Sequence, residues 1–450
     1  MQDCGNANPV LRGTALKTLT RVTHPDLQEF SLKATLRSLQ DSSAYVRRIG
    51  VLSCARLYSS GLHALTEHGV VDELYAMIRD NDVIVMLNCL RALDVILRQD
   101  GGVIINRKIN NFIINRLDQV HDSHLPQVVT FLQRYKPRSE SEVLELMNAC
   151  DAHLSSFHAA VVVAVLQYFL FLCSGNPARS MQVLERSISS LMRHLNDDRP
   201  EMVYAVLTCI QKHYCSCQET RKLVTTHKSF FLRPNDPEYL SAKRLEVFVS
   251  LLNADNYEQL EQEFVRYFRA RSSQLSCAAV DSVRIVLHLN PSLTSSLVEH
   301  LAKFLTPSHR HLHKSVICVI SQVDLSNCSV DVIKGVLRRC CDVLKRGDVA
   351  CSLEDLLWLF GQHGFQYEDV VYCFEDFTSS FDNWSNTSES SALVSTAVKL
   401  FLRCPTQTHH VLAVVLETAH TRGDRSTKQL VLHYYRMLQA DVQFTKTVVL

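Results

Sequence analysis

Apolar residues recur along this chain at three- and four-residue intervals, and short polar turns interrupt them at a regular step. The stretches NPVLRGTALKTLTRV (residues 8–22), SAYVRRIGVLSCARL (43–57) and NDVIVMLNCLRALDV (81–95) align with one another. Each opens on a turn-forming polar residue and continues with apolar residues at helical spacing: Leu11, Ala15 and Leu19; Val46, Val51 and Cys54; Ile84, Leu87 and Leu90. The step is about 35 to 38 residues, and second helices, DLQEFSLKATLRSLQ and GVVDELYAMIRD, lie between. Each unit is therefore a helix pair of HEAT or armadillo type. The pattern continues through LPQVVTFLQRY, PEMVYAVLTCIQKH, SCAAVDSVRIVLHL, HKSVICVISQV and SALVSTAVKLFL, and about a dozen pairs fit the length. The expected fold class is all-α, an α-solenoid running as one domain over residues 1–450.

In this alignment Arg12 and Arg47 occupy equivalent places near the start of a first helix, and Val85 takes that place in the third repeat. The simpler reading is structural, an arginine pairing with acidic or carbonyl groups of the neighbouring unit. The alternative is a ligand-binding role for Arg47 and Arg48. No Gly-, Ser- or Pro-rich linker divides the chain, and the most polar stretch, TSSFDNWSNTSESSA (378–392), reads as a loop between late repeats.

Composition sharpens this picture. Glycine (13) and proline (11) are together about 5% of the residues, against roughly 12% in average proteins, which disfavours turn-rich β architectures. A net charge of +1 gives no reason to expect nucleic acid. The sixteen cysteines sit mostly singly in apolar helical runs and read as reduced core thiols of a cytosolic chain. The sequons at Asn327, Asn383 and Asn386 are then coincidental, and no signal peptide is visible after Met1. The most apolar run, AAVVVAVLQYFLFLC, is too short for a bilayer, is interrupted by Gln167, and reads as a buried helix.

Nucleotide, nucleophile-elbow and zinc-protease motifs are missing from the sequence. HRHLH places His309 and His313 four apart with His311 between, but no fourth ligand is evident, and solvated histidines at a repeat boundary are the favoured reading. CSC (Cys215, Cys217) and CC (Cys340, Cys341) lack C-x-x-C spacing and read as core thiols. SLEDLLWLF reads as first-turn acidic charge beside an apolar face. No residue is expected to be catalytic, cofactor-binding or metal-ligating, and no cofactor is expected.

The series NPVLRGTALKTL, AYVRRIGVLSCARL, NDPEYLSAKRLEVFVSLL, STAVKLFLRCPTQTHHVL and YYRMLQADVQFTKTVVL resembles the trunk of β-adaptins, the large β subunits of heterotetrameric vesicle adaptor complexes. LRQDGGVIINRKI and YKPRSESEVLELMN, with Gly101-Gly102 and Pro137-Arg138-Ser139, look most like the β subunit of the fourth complex. The resemblance implies a non-enzymatic scaffold for cargo sorting at trans-Golgi and endosomal membranes. Its implied partners are an ε-type large subunit, a medium μ subunit and a small σ subunit, with an Arf-family GTPase on the first helices and peripheral membrane association through the complex. It also implies upstream helices, a hinge and an ear, which the sequence as it stands does not carry. The alternatives are the β subunit of adaptor complex 1 or 2, or an importin-type transport receptor; the latter fits poorly with a neutral chain holding two tryptophans, Trp358 and Trp384.

Overall fold

In the computed structural model the chain is described over residues 2–22, 24–61, 69–224, 227–252, 257–270, 272–289, 291–347, 352–382, 384 and 386–449. Those residues hold 24 α-helices and no strand, as the apolar periodicity requires. They fall into two compact units, Met1–Thr225 and Thr226–Leu450.

In the first unit, helices Pro9–Leu19, Ala44–Ser59 and Val83–Ile96 pack side by side. Pro25–Leu39 lies against the first two, and Val70–Met77 against Val83–Ile96. A further row follows, Leu125–Leu132, Ala159–Leu172 and Pro200–Tyr214, with Pro177–His194 laid against its last two members. Ala159–Leu172 is the apolar run singled out in the sequence. It buries nine residues, among them Val161, Val165, Leu166 and Phe169, because helices surround it. No described helix is long and apolar enough to cross a membrane.

The second unit is more regular. Glu238–Leu251, Ser273–Leu289, His313–Gln322, Leu353–His363, Thr387–Arg403 and Arg425–Ala440 pack each on the next, forming one row. Thr294–Ala302, Val330–Lys345, Asp369–Ser380 and Pro405–Arg422 form a second. Each helix of a row thus touches its equivalent one repeat away, and several also touch their sequence neighbour, as Thr387–Arg403 and Pro405–Arg422 do, which is the packing logic of stacked helix pairs.

Two expectations need correction. The third repeat is out of register by one: the helix caps are Asn8, Ser43 and Asp82, not Asn81. Val85 therefore matches Val46, both fully or almost fully buried, and Met86 takes the place of Arg47. An aspartate accepting hydrogen bonds from the Ile84 and Val85 amides sets this start. Nor is 378–392 mainly loop, because Asp369–Ser380 ends and Thr387–Arg403 begins inside it. Asn386 caps the second helix by accepting from the Ser388 amide, and Ser390 returns its hydroxyl to the Asn386 carbonyl at 2.7 Å. A serine-rich first turn reads as loop in composition yet is well suited to a helix start.

Candidate interaction surface

The paired arginines settle into a repeated device. Arg12 donates to the Asn6 and Ala7 carbonyls at 2.8 and 2.9 Å, and reaches across to Asp41 with Nε and Nη2 at 2.9 and 2.7 Å. Arg47 repeats the arrangement one unit on: it donates to the Asp41 and Ser42 carbonyls and forks onto Asp80 at 2.7 and 2.9 Å. The carboxylates close the turns themselves, Asp41 accepting from the Ser43 amide and Asp80 from the Asp82 amide, both at 2.8 Å. Where Met86 supplies no third arginine, Arg116 donates to the Asp80 and Asn81 carbonyls at 2.7 and 3.3 Å. Arg48 forks onto Asp82. Each guanidinium thus grips one turn by its carbonyls or one neighbouring carboxylate, and in two cases both, using the planar donor fork that lysine lacks.

Electrostatics follow the geometry. The Arg12 fork holds the Asp41 carboxyl below the usual range against its burial. Burial opposes ionisation of Asp80, but Arg47 and the Asp82 amide outweigh it and the group ends below its ordinary value. Arg48 lowers Asp82 in the same way. Arg47 and Arg48 are therefore committed to the protein's own turns.

Three of the segments that carry the family resemblance prove to be charged hubs as well. Gly101 and Gly102 have φ of 92° and 83°, and the Gly102 amide donates to the Leu97 carbonyl at 2.7 Å, a helix end that only glycine accommodates without strain. A Cβ on Gly102 would stand 2.1 Å from an Arg134 nitrogen and 2.6 Å from an Asp94 oxygen, two groups paired with each other. Glu142 is buried and accepts from the Tyr135 hydroxyl (2.7 Å), the Arg138 amide (2.8 Å) and Arg107 (3.1 Å). Its own amide donates to Ser139, completing a cap at the start of Glu140–Cys150. Arg244 is fully buried, paired with Asp236 and donating to the Ser229 carbonyl at 2.7 Å. Sequence reasoning missed these roles; the available signal was a charged residue at an apolar-period position.

The remaining sequence candidates disperse. His309 has φ −123° and ψ 36°, a kink inside Pro307–Leu312, so it and His313 share no helical face. His309 packs its ring 5.2 Å from Phe304, and its basicity is lowered by burial and then by His311 and Arg269. His313 is not solvated: it is fully buried and donates from Nε2 to the Thr306 carbonyl at 2.9 Å. His311 faces Ser276. No group of three potential metal ligands occurs among the described residues. Nine of the fifteen described cysteines are buried; Cys54, Cys150 and Cys209 are pushed up to about 12 by burial, and such thiols are poor nucleophiles. Cys340, Cys341 and Cys215 fit the core reading, but Cys217 is exposed and its thiol is lowered by hydrogen bonding with Thr220. Cys351 and Asn383 lie outside the described residues, as does the side chain of Asn327. Glu354 and Asp355 do occupy a first turn, and both are tied to neighbouring repeats, Glu354 by Ser388 and Asp355 by Ser321.

The described cavities are open grooves between helices. One of about 530 Å³ separates Pro9–Leu19 from Pro25–Leu39, with Leu16, Leu19 and Phe30 on its walls and Arg37 at its edge. Another of about 300 Å³ lies between Glu140–Cys150 and Pro177–His194, with Leu144, Met147, Phe169, Arg179 and Arg186 among its lining. Open grooves lined by apolar and charged side chains together suit a protein segment better than a small substrate held by convergent polar groups.

Residues 1–441 match the adaptin N terminal region. Mouse AP-4 complex subunit beta-1 is 27% identical over 449 residues, covering 99% of this chain and 60% of its own length. Mouse AP-1 complex subunit beta-1 is 23% identical over 460 residues, covering 100% of this chain and 48% of its own. A homology model of the full-length AP-3 complex in an intermediate open conformation shares the fold, with TM-score 0.50 at 16% identity over 97% of this chain and 79% of the matched one. The chain thus spans about half to three-fifths of the length of these curated relatives.

Proposed function

Since the chain belongs to the adaptin family, whose N-terminal region occupies residues 1–441, we propose that it is the β-type large subunit of a heterotetrameric vesicle-coat adaptor complex, a scaffold without catalysis. The observation that carries the reading is the end-to-end match to a β subunit of the fourth complex over 99% of this chain. The hubs around Gly102, Glu142 and Arg244 are consistent with it, since they lie in three of the segments by which the chain resembles the β subunits. In this proposal residues 1–450 act as one trunk that holds an ε-type large subunit, a medium μ subunit and a small σ subunit. An Arf-family GTPase contacts the first helices, and the complex sits peripherally on trans-Golgi and endosomal membranes.

Affinity purification of the tagged chain from its own cells, read by mass spectrometry, tests this. Recovery of ε, μ and σ chains of the fourth complex is the expected result. Recovery of γ or α chains moves the protein to complex 1 or 2, and recovery of no adaptor chain overturns the proposal.

A further inference from the structure

In the second unit two cations stand, among the described residues, without the carboxylate partners that Arg12, Arg47 and Arg48 possess in the first. Lys399 and Arg403 lie four apart on Thr387–Arg403 and so share a face, where like charges repel. The lysine stem runs against Gly361: a Cβ there would stand 3.2 Å from Lys399 Cδ. Arg403 holds its guanidinium carbon 4.4 Å above the Phe365 ring, and its buried Nε has no hydrogen-bond partner among the described residues. No described carboxylate forms an ion pair with either. Both are held below their usual basicity by burial first, and Lys399 by Arg403 second. His363 beside them is likewise lowered by burial and then by Arg403, with Asp324 acting the other way. Asp324 is already engaged, accepting from the Ser326 amide at 2.9 Å.

Half-buried cations lacking a counter-ion are an unfavourable arrangement in an isolated chain. A carboxylate arriving from outside offsets both the cost of burying the cations and their mutual repulsion. Flanking rings specify more than a bare anion. Phe365 is 43% exposed, and Trp358 is 41% exposed with its ring 6.5 Å from His363. Exposed tryptophan and phenylalanine around arginine is the composition of a protein-binding hot spot, and a phosphate ion makes no use of it.

We propose that Lys399, Arg403, Trp358 and Phe365 form a notch that binds an acidic segment of a protein partner, its carboxylates on the two cations and its apolar side chains on the two rings. The proposal rests on the reading of the chain as a binding scaffold and gives that scaffold one specific contact.

The test uses the full 450-residue chain and a fluorescein-labelled peptide, Glu-Glu-Leu-Glu-Glu-Leu, followed by anisotropy at low salt. Saturable binding is expected, weakened about tenfold or more in Lys399→Gln/Arg403→Gln and less than about twofold in Lys334→Gln/Arg338→Gln, which removes an exposed pair at the same spacing. Equal losses in the two variants, or no binding, overturn the notch. Displacement of the peptide by inorganic phosphate beyond that by chloride at equal ionic strength overturns the peptide as occupant. Without peptide, Lys399→Gln/Arg403→Gln should melt no lower than the parent; a fall of several degrees makes the pair structural and sinks the idea. Adaptor subunits co-purifying with a chain that binds no peptide would remove only the notch, whereas peptide binding without adaptor subunits would remove only the assignment to a coat complex.

Discussion

Asp80 concentrates most of what single residues do in the first unit. It accepts two hydrogen bonds from Arg47, closes its own turn through the Asp82 amide, and presents a carbonyl to Arg116. Arg47→Ala leaves that carboxylate largely buried without its partner, and should cost about 2 to 3 kcal/mol, below the range for fully buried pairs because both groups keep some exposure; urea unfolding followed by circular dichroism measures it. Asp41, Asp80 and Asp82 are all held below their usual values. Carboxyls of this kind stabilise the fold fully above their unfolded value, about pH 4, and lose that contribution as pH falls through the lower folded values. The melting temperature should therefore drop on acidification below about pH 4, and Asp80→Asn should flatten the drop. At neutral pH the exposed Cys217, lowered by Thr220, should react with Ellman's reagent ahead of the buried thiols, and Cys217→Ser should abolish the fast phase. The pairing role of the arginines was legible in their recurrence; the identity of their acids was not, since those lie about a repeat away.

At the scale of elements, helix after helix was readable from period alone, and the errors came where a polar residue governs a terminus. Asp82, not Asn81, starts the third repeat; Asn386 turns an apparent loop into a helix. Pro307 opens a 3-10 turn in which the histidines cannot share a face. The first helix shows a different limit. Pro9–Leu19 buries only Gly13 and Leu16, while Val10 and Leu11 are 55% and 48% exposed. Leu11, Ala15 and Leu19, which recur at helical spacing in the sequence, line an open surface with Val22, because the buried face lies on the Gly13 side, where the helix meets Tyr45 and Ile49. Hydrogen exchange should find the amides of residues 11–19 far less protected than those of residues 161–170, since local opening is easiest where little apolar surface is buried. Equal protection in a monomeric sample would contradict this account.

For the whole molecule, the sequence conveyed helix pairs and a family likeness, and the match over residues 1–441 agrees. It did not convey that no described carboxylate pairs with Lys399 or Arg403, since an unmet charge is a property of neighbours brought together by folding. The turn from Asp80 to Asp82 carries a consequence of another kind. Arg47 and Arg48 hold it from the helix before, and Arg116 from the chain after. Under mechanical load the grips Arg12–Asp41 and Arg47–Asp80 transmit tension forward, while Arg116 transmits it backward, so that turn is a tie point where the two directions meet. Pulled from its ends in an optical trap, the first unit should therefore lose residues 9–96 in one rip, and Asp80→Ala should split that rip into two smaller ones.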